Sequence, residues 1–365
     1  MRFTINKTEL QIALNTVLKG VSTRSTLPVL SGIMLDARGD EVILQSTDLE
    51  YSVQYTVAAL VDEPGRTVVP GKLLSDIVKN LADAAVTVQA AEGEAHITCD
   101  TSSFSVRTLN AEDFPGFPHV ETDQTIEIPF PAFADMVKRV ARVVSRDESR
   151  AILTGILITL EEGVLRMVAT DSYRLAVCET ALPEAIAEDF EAVILGSFMN
   201  EIASLPKTED MVRLAIAENQ IVATCGPVVF INRRIEGNYP NYKQLLPDTY
   251  ASRAELEVSA LAASVKRASL LSSSTAPMRF DLNAASQTTQ ITVSSPDVGT
   301  AQETLPCAIE GEDVQIAFNS LYVMDGLAAI SGEKVSLEVQ SDMKPGILRA
   351  AEPENYLYLI MPVRL

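Results

Sequence analysis

Two histidines, four cysteines and 49 carboxylates are the side chains through which this chain could do covalent or metal chemistry. Nucleophilic catalysis needs a base beside the nucleophile and a third group to orient it. His96 falls inside an alternating strand pattern and His119 in a proline-rich connector, and neither belongs to a Ser/His or Cys/His arrangement. Cys99, Cys178, Cys225 and Cys307 are widely separated and form no Cys-x-x-Cys. The first three lie in strand-like runs, where a small buried thiol is expected. No glycine-rich phosphate loop, nucleophile elbow or His-Glu-x-x-His occurs. Runs such as Glu112-Asp113 and residues 310–313 read as solvated surface. Asp48, Asp171 and Asp297 recur at strand ends, where aspartate forms turns. No catalytic residue, metal or cofactor is expected, which leaves binding.

The informative charge is positive. Phe133, Met136, Val137, Val140 and Val144 follow one helical stripe, and at ~100° per residue they share one face. Lys138, Arg139, Arg142 and Arg146 fall on the opposite face, diluted only by Asp135. A similar helix near residues 9–19 has Leu10, Ala13, Leu14 and Val17 inward, with Lys7, Lys19 and Arg24 supplying charge. A third, at 261–271, has Leu261, Val265 and Ala268 inward, Lys266-Arg267 outward and Ser259 as N-cap. A solvated face explains such residues on one helix. Three recurrences within a chain of net charge −20 favour a basic surface with a purpose.

These helices lead units that repeat. Each is followed by a strand (29–35, 152–160, 278–282) and then by Ser46-Thr-Asp-Leu-Glu, Val168-Ala-Thr-Asp-Ser-Tyr-Arg or Ser295-Pro-Asp-Val. Asp48 and Asp171 are 123 residues apart, and Asp171 and Asp297 are 126 apart. A second, shorter apolar-striped helix follows Pro70, Gly196 and Asn319, with Ser197 and Asn319 as candidate caps. A period this long implies domains with their own cores. The chain therefore reads as three α+β domains, 1–122, 123–250 and 251–365, each with two helices packed on antiparallel sheets. No apolar run approaches the ~18 residues of a membrane span, and the N-terminus has no signal-peptide pattern. A soluble, cytoplasmic protein is expected.

Six stretches, in order, resemble the bacterial sliding clamp family, the β subunit of DNA polymerase III. They are Thr26-Leu-Pro-Val-Leu-Ser-Gly, Ser46-Thr-Asp-Leu-Glu, Glu112-Asp-Phe-Pro, Val168-Ala-Thr-Asp-Ser-Tyr-Arg-Leu-Ala-Val, Tyr239-Pro-Asn-Tyr-x-x-Leu-Leu-Pro and the terminal Met361-Pro-Val-Arg-Leu. The resemblance covers the whole chain. It implies a non-catalytic processivity factor, a head-to-tail homodimer closed into a ring around duplex DNA. Twelve helices spaced ~9 Å apart put their axes on a circle roughly 34 Å across, which leaves roughly 24 Å inside one helix diameter, enough for a duplex. Basic helices would face the hole, and with a Debye length of ~8 Å they would barely sense acid on the outside.

The resemblance also implies sites. Arg24 and Lys72 match basic family positions for DNA contact, to which the charge pattern adds Lys138, Arg139, Arg142, Arg146, Lys266 and Arg267. Leu153, Thr170, Ser172, Tyr173, Arg174, Leu175, Pro240, Gln244, Leu245, Met343, Met361, Pro362, Val363, Arg364 and Leu365 match a pocket that takes short hydrophobic peptide motifs. Its partners in the family are the polymerase catalytic subunit, the clamp loader, translesion polymerases and mismatch-repair proteins. Phe104 and Val106 match one dimer face, Leu270 and Leu271 the other. The chain departs from the family at Ala151-Ile152, where some members carry aromatics that touch DNA. Tyr173 stands where histidine is common, and Gln244 where a basic residue is. A different reading is a monomeric three-domain scaffold that binds peptides and never encircles DNA.

Overall fold

The computed structural model describes residues 1–22, 27–120, 124–182, 190–206, 210–217, 219–247, 249–272, 276–351, 353 and 355–364. Arg24, Leu365 and the boundary expected at 122/123 lie outside them. Among the described residues there are six α-helices: α1 (Lys7–Val17), α2 (Gly71–Asn80), α3 (Phe130–Val140), α4 (Gly196–Ala203), α5 (Val258–Ala268) and α6 (Ser320–Leu327). The strands pair antiparallel, so the class is α+β as expected.

The inward stripes form as the sequence dictates. Leu10, Ala13, Leu14 and Val17 are buried on α1, and Leu261, Val265 and Ala268 on α5. Asn6 Oδ1 caps α1 by accepting from Thr8 N (2.8 Å) and Glu9 N (3.3 Å). Asn319 caps α6, accepting from Leu321 N at 2.9 Å. Ser259 and Ser197 do not cap. They sit inside the first turns, and Glu257 and Leu195 occupy the cap positions without a side-chain bond. The helix expected over 133–146 is shorter: α3 ends at Val140, and a 3₁₀ turn over Ala141–Val143 follows. Adjacent β-branched Val143 and Val144 crowd a continuing α-helix, and Val144 is extended, with ψ 143°.

The strands expected at 29–35 and 152–160 start later, at Gly32 and Gly155, after the 3₁₀ turns Pro28–Ser31 and Glu148–Thr154. Both glycines are required by close packing. A Cβ on Gly32 would meet Val68 Cγ1 at 2.3 Å, and one on Gly155 would meet Val193 Cγ1 at 2.5 Å.

By contacts the chain groups into two compact units, Met1–Pro131 with Leu205–Arg234, and Ala132–Ser204 with Ile235–Leu365. The middle third contributes to both because its strands are hydrogen-bonded into each neighbour's sheet. In the first unit an eight-stranded sheet runs from Gln124–Pro129 to Gly65–Pro70, and Val228–Arg233 pairs with Tyr51–Ala58 within it. A five-stranded sheet ends at Ser102–Arg107. In the second unit a nine-stranded sheet joins Arg174–Ala181 to Tyr356–Ile360, with Arg174 opposite Ile360 and Cys178 opposite Tyr356. A four-stranded sheet ends at Gly299–Pro306.

The two joints are the same joint. In each, the last strand of one third pairs with the fourth strand of the third before it. By that count the last strand of the first third is Ser102–Arg107, and the fourth strand of the last third is Gly299–Pro306. Each lies at the edge of its sheet.

Candidate functional site

The turn over residues 170–174 sits at the joint of the nine-stranded sheet. Asp171 Oδ1 accepts from Tyr173 N (2.9 Å) and Arg174 N (3.1 Å), and Thr170 Oγ1 donates to Arg174 O (2.8 Å). Ser172 is forced to φ 79°. The first third builds the same turn: Asp48 Oδ1 accepts from Glu50 N and Tyr51 N, and Leu49 has φ 81°. Asp48 and Asp171 are thus turn-formers, as their positions at strand ends imply.

The second copy differs in the side chain that follows. Tyr51 of the first turn is replaced by Arg174, whose guanidinium donates four hydrogen bonds. Nε donates to Asp171 Oδ2 (3.0 Å), Nη1 to Asp325 Oδ2 (2.5 Å) and Tyr358 OH (3.2 Å), and Nη2 to the Arg142 carbonyl (3.0 Å). Its carbon Cζ lies 4.5 Å from the Tyr322 ring centre, a cation–π distance. Burial opposes the charge, but Tyr358 and the bonds to Asp325 and Asp171 outweigh it and hold the guanidinium firmly charged. One residue therefore ties a middle-third strand to α6, to the C-terminal strand and to the turn after α3.

Around it the pocket residues fall into two sets. Leu153, Thr170 and Leu175 are buried. Leu175 stands opposite Leu359 and joins an apolar cluster with Val177, Tyr242 and Ile347. Tyr173 (60% exposed), Met343 (55%), Leu245 (47%) and Met361 (38%) keep apolar surface in water, with Pro362 and Val363 half-buried. Ser172, Pro240, Gln244 and Arg364 are exposed. The tail is tied down: Met361 N donates to Tyr173 O (2.9 Å) and Val363 N to Ala317 O (2.8 Å). Met343 lies in the turn before the strand Gly346–Ala350, where its N–H donates to Ser341 Oγ (3.4 Å).

On its other side the same turn borders a cleft of about 610 Å³ where Arg142, Arg146 and Arg150 converge with Tyr173, Arg174 and Tyr322. Arg150 Nη1 donates to Ser172 Oγ (2.9 Å). Lys72, Lys138, Arg142, Arg146 and Lys266 are exposed, and no ion pair forms on them among the described residues. Two other cations are matched. Arg139 is only 11% exposed and is paired with Asp135 at 2.8 Å, so it does not project with its neighbours. Arg267 grips both oxygens of Glu303 (2.9 and 2.6 Å). On the edge strand Ser102–Arg107, Phe104 and Val106 share one face, the first exposed and the second buried, and Leu270 is 81% exposed beside a half-buried Leu271.

Sequence reasoning missed Tyr322, Asp325, Tyr358 and Arg150. Nothing in their local pattern marks them, because each matters only through what a distant turn brings to it. Tyr242 was visible inside the Tyr239–Pro247 connector and could have been read as its anchor. Among the described residues no cluster of His, Cys, Asp or Glu could hold a metal.

Comparison with known proteins settles the family. Its three descriptions match in order: DNA polymerase III beta subunit, N-terminal domain, over residues 1–118, central domain over 127–241 and C-terminal domain over 243–364. The beta sliding clamp of Staphylococcus aureus (strain Mu50 / ATCC 700699) is 32% identical over 375 residues, covering 100% of this chain and 99% of that protein. The chain belongs to the DNA polymerase III beta subunit family.

Solved members superpose on it throughout. The DNA polymerase sliding clamp of Bacillus subtilis gives a TM-score of 0.94 at 28% identity, covering 100% of this chain and 99% of that one. The sliding clamp of Pseudomonas aeruginosa bound to griselimycin gives 0.94 at 28% identity, with both chains fully covered. The chain is thus a DNA sliding clamp, built of three clamp domains and acting as a non-catalytic accessory subunit in replication. No helix among the described residues is long and apolar enough to cross a membrane.

Proposed function

We propose that this clamp works as a head-to-tail homodimer in the cytoplasm, closed around duplex DNA, and that it tethers its partners through the pocket beside Arg174. The observation that carries the dimer is the repeated strand joint. Two of the three possible joints are made within one chain. The third needs the edge strand Ser102–Arg107 of one copy and Gly299–Pro306 of another, and made twice it closes the assembly with two-fold symmetry. Phe104, Leu270 and Leu271 flank those edges, and Val106 supports the first from inside. The domains are divided at 122/123 and 250/251.

Lys72, Lys138, Arg142, Arg146 and Lys266 face the duplex and contact phosphates without reading sequence, which suits sliding. Arg24 belongs with them by resemblance. Arg139 and Arg267 act less directly, because each already has a carboxylate partner. The pocket's apolar surface, Leu175, Tyr173, Leu245, Met343 and the tail from Met361 to Leu365, receives short hydrophobic motifs. Those motifs come from the polymerase catalytic subunit, the clamp loader, translesion polymerases and mismatch-repair proteins.

Retention on DNA tests the closed form. Protein loaded on nicked circular DNA is expected to stay through a salt wash, and to escape once one cut makes the circle linear. Equal retention before and after the cut, or a one-protomer mass in sedimentation, would favour the monomeric scaffold.

A further inference from the structure

One cavity lies beside the pocket and has no part in the reading above. It encloses about 390 Å³ along the strands Arg174–Ala181 and Tyr356–Ile360, within the range of small binding sites. Alternation decides which side chains reach it. Tyr358 packs under α6, where its ring would lie 2.5 Å from a Cβ on Gly326, so Leu357 and Leu359 point to the opposite face. On that face Leu175 stands opposite Leu359 and Val177 opposite Leu357, all in one apolar cluster. The Leu175–Leu359 pair belongs to the pocket. The Val177–Leu357 pair lies one alternation further along, about 7 Å away, and with Tyr242 and Leu246 it floors the cavity.

Three cations gather at the rim, and they are unequally matched by the carboxylates around them. Arg166, Lys243 and Arg349 line it against one carboxylate, Glu179. Arg166 is held by Glu179 and by Glu161 Oε2 (3.4 Å), so Glu161 is shared with Lys243, and Arg349 is held by both oxygens of Glu338 (3.1 Å each). Lys243 is held loosely: Glu161 Oε2 is 4.0 Å away, and the lysine side chain is 62% exposed. An under-neutralised ammonium above an apolar floor asks for a ligand with an apolar body and a carboxylate.

We propose that this cavity is a second subsite of the peptide-binding face, taking an apolar side chain and an adjacent acidic one from residues that flank the motif in the pocket. Continuity of the apolar strand face argues for a peptide over a separate small molecule. The inference rests on the pocket reading and adds the chemistry of the flank.

The test compares fluorescein-labelled peptides by anisotropy on the full-length protein. The probes are Ala-Leu-Ala-Leu-Phe and the same peptide extended at either end by Leu-Glu or by Gly-Ser. One Leu-Glu extension is expected to tighten binding about tenfold, from one buried apolar side chain and one rim ion pair, while Gly-Ser adds nothing. Lys243→Glu should bring the extended peptide back to the affinity of the short one without changing the short one, and Lys243→Arg should keep the gain. Lys243 is exposed, so neither variant threatens folding. No gain at either end, or a gain that survives Lys243→Glu, overturns the subsite. Failure of even the short peptide to bind would overturn the pocket, and the subsite with it.

Discussion

Replacing Arg174 by alanine removes the guanidinium that four hydrogen bonds and one aromatic ring surround. Breaking a buried ion pair from one side costs about 3–5 kcal/mol, because the partner is left charged and unpaired. Here there are two partners. Asp171 is 15% exposed and cannot easily rehydrate, whereas Asp325 at 39% can. The low end is therefore appropriate, about 3 kcal/mol. For a unit of 150–250 residues each kcal/mol moves the midpoint by about 2–4 °C, so Tm should fall by about 6–12 °C. Arg174→Lys keeps the charge but loses the planar fork and should lose about half as much. Scanning calorimetry of the intact protein is the assay, and the first unit, which contains none of these residues, is an internal control. A fall below about 2 °C for Arg174→Ala would refute the view that this residue holds the second joint together.

Gly155→Ala places a Cβ 2.5 Å from Val193 Cγ1 and 2.9 Å from Ile235 Cδ1, overpacking that should cost about 1–3 kcal/mol in urea unfolding; wild-type stability would show that the strand entry can give way. Burial pushes the Cys225 thiol up to about 11, so iodoacetamide at pH 8 should leave it unmodified in the folded protein, as read by peptide mass spectrometry. The sign of the linkage follows from that raised value. Cys225 contributes stability that is complete below its unfolded pKa of 9.0 and is lost as pH climbs toward 11; a stability flat across that window in the wild type, relative to Cys225→Ala, would contradict it.

The repeat was legible because aspartate, glycine and helix stripes recur at nearly fixed spacing, and each has a local physical cause. Asp48 and Asp171 close identical turns, and Gly32 and Gly155 admit identical close approaches. The grouping into two units was not legible. It depends on which strand edges pair, as Val228 with Tyr55 and Cys178 with Tyr356 do, and edge pairing leaves no signature in the residues that pair. Charge was half legible. Counting residues on a helical wheel placed Lys138 and Arg142 outward correctly, but it could not foresee that Asp135 would fold Arg139 back or that Glu303, on a strand, would claim Arg267. The resemblance implies which motif residues line the pocket, while Arg174's partners on α6 and the last strand leave no local signature in the sequence.

The repeated joint carries a consequence for how such an assembly parts. In the dimer proposed above the seams would share one backbone pattern, and those inside a chain would differ from those between chains only by a covalent tether. Anything that must open the circle therefore needs no special weak spot in the hydrogen-bond ladder. It need only find the seams where no connector holds the strands in register, because a tethered seam re-forms before its edges can separate. A copy so released would bare two strand edges to solvent, and the Gly299–Pro306 edge carries Thr300, Gln302, Glu303 and Thr304, with Glu303 anchored to Arg267 beside it. Such an edge can wait in water for its proper mate without recruiting strangers.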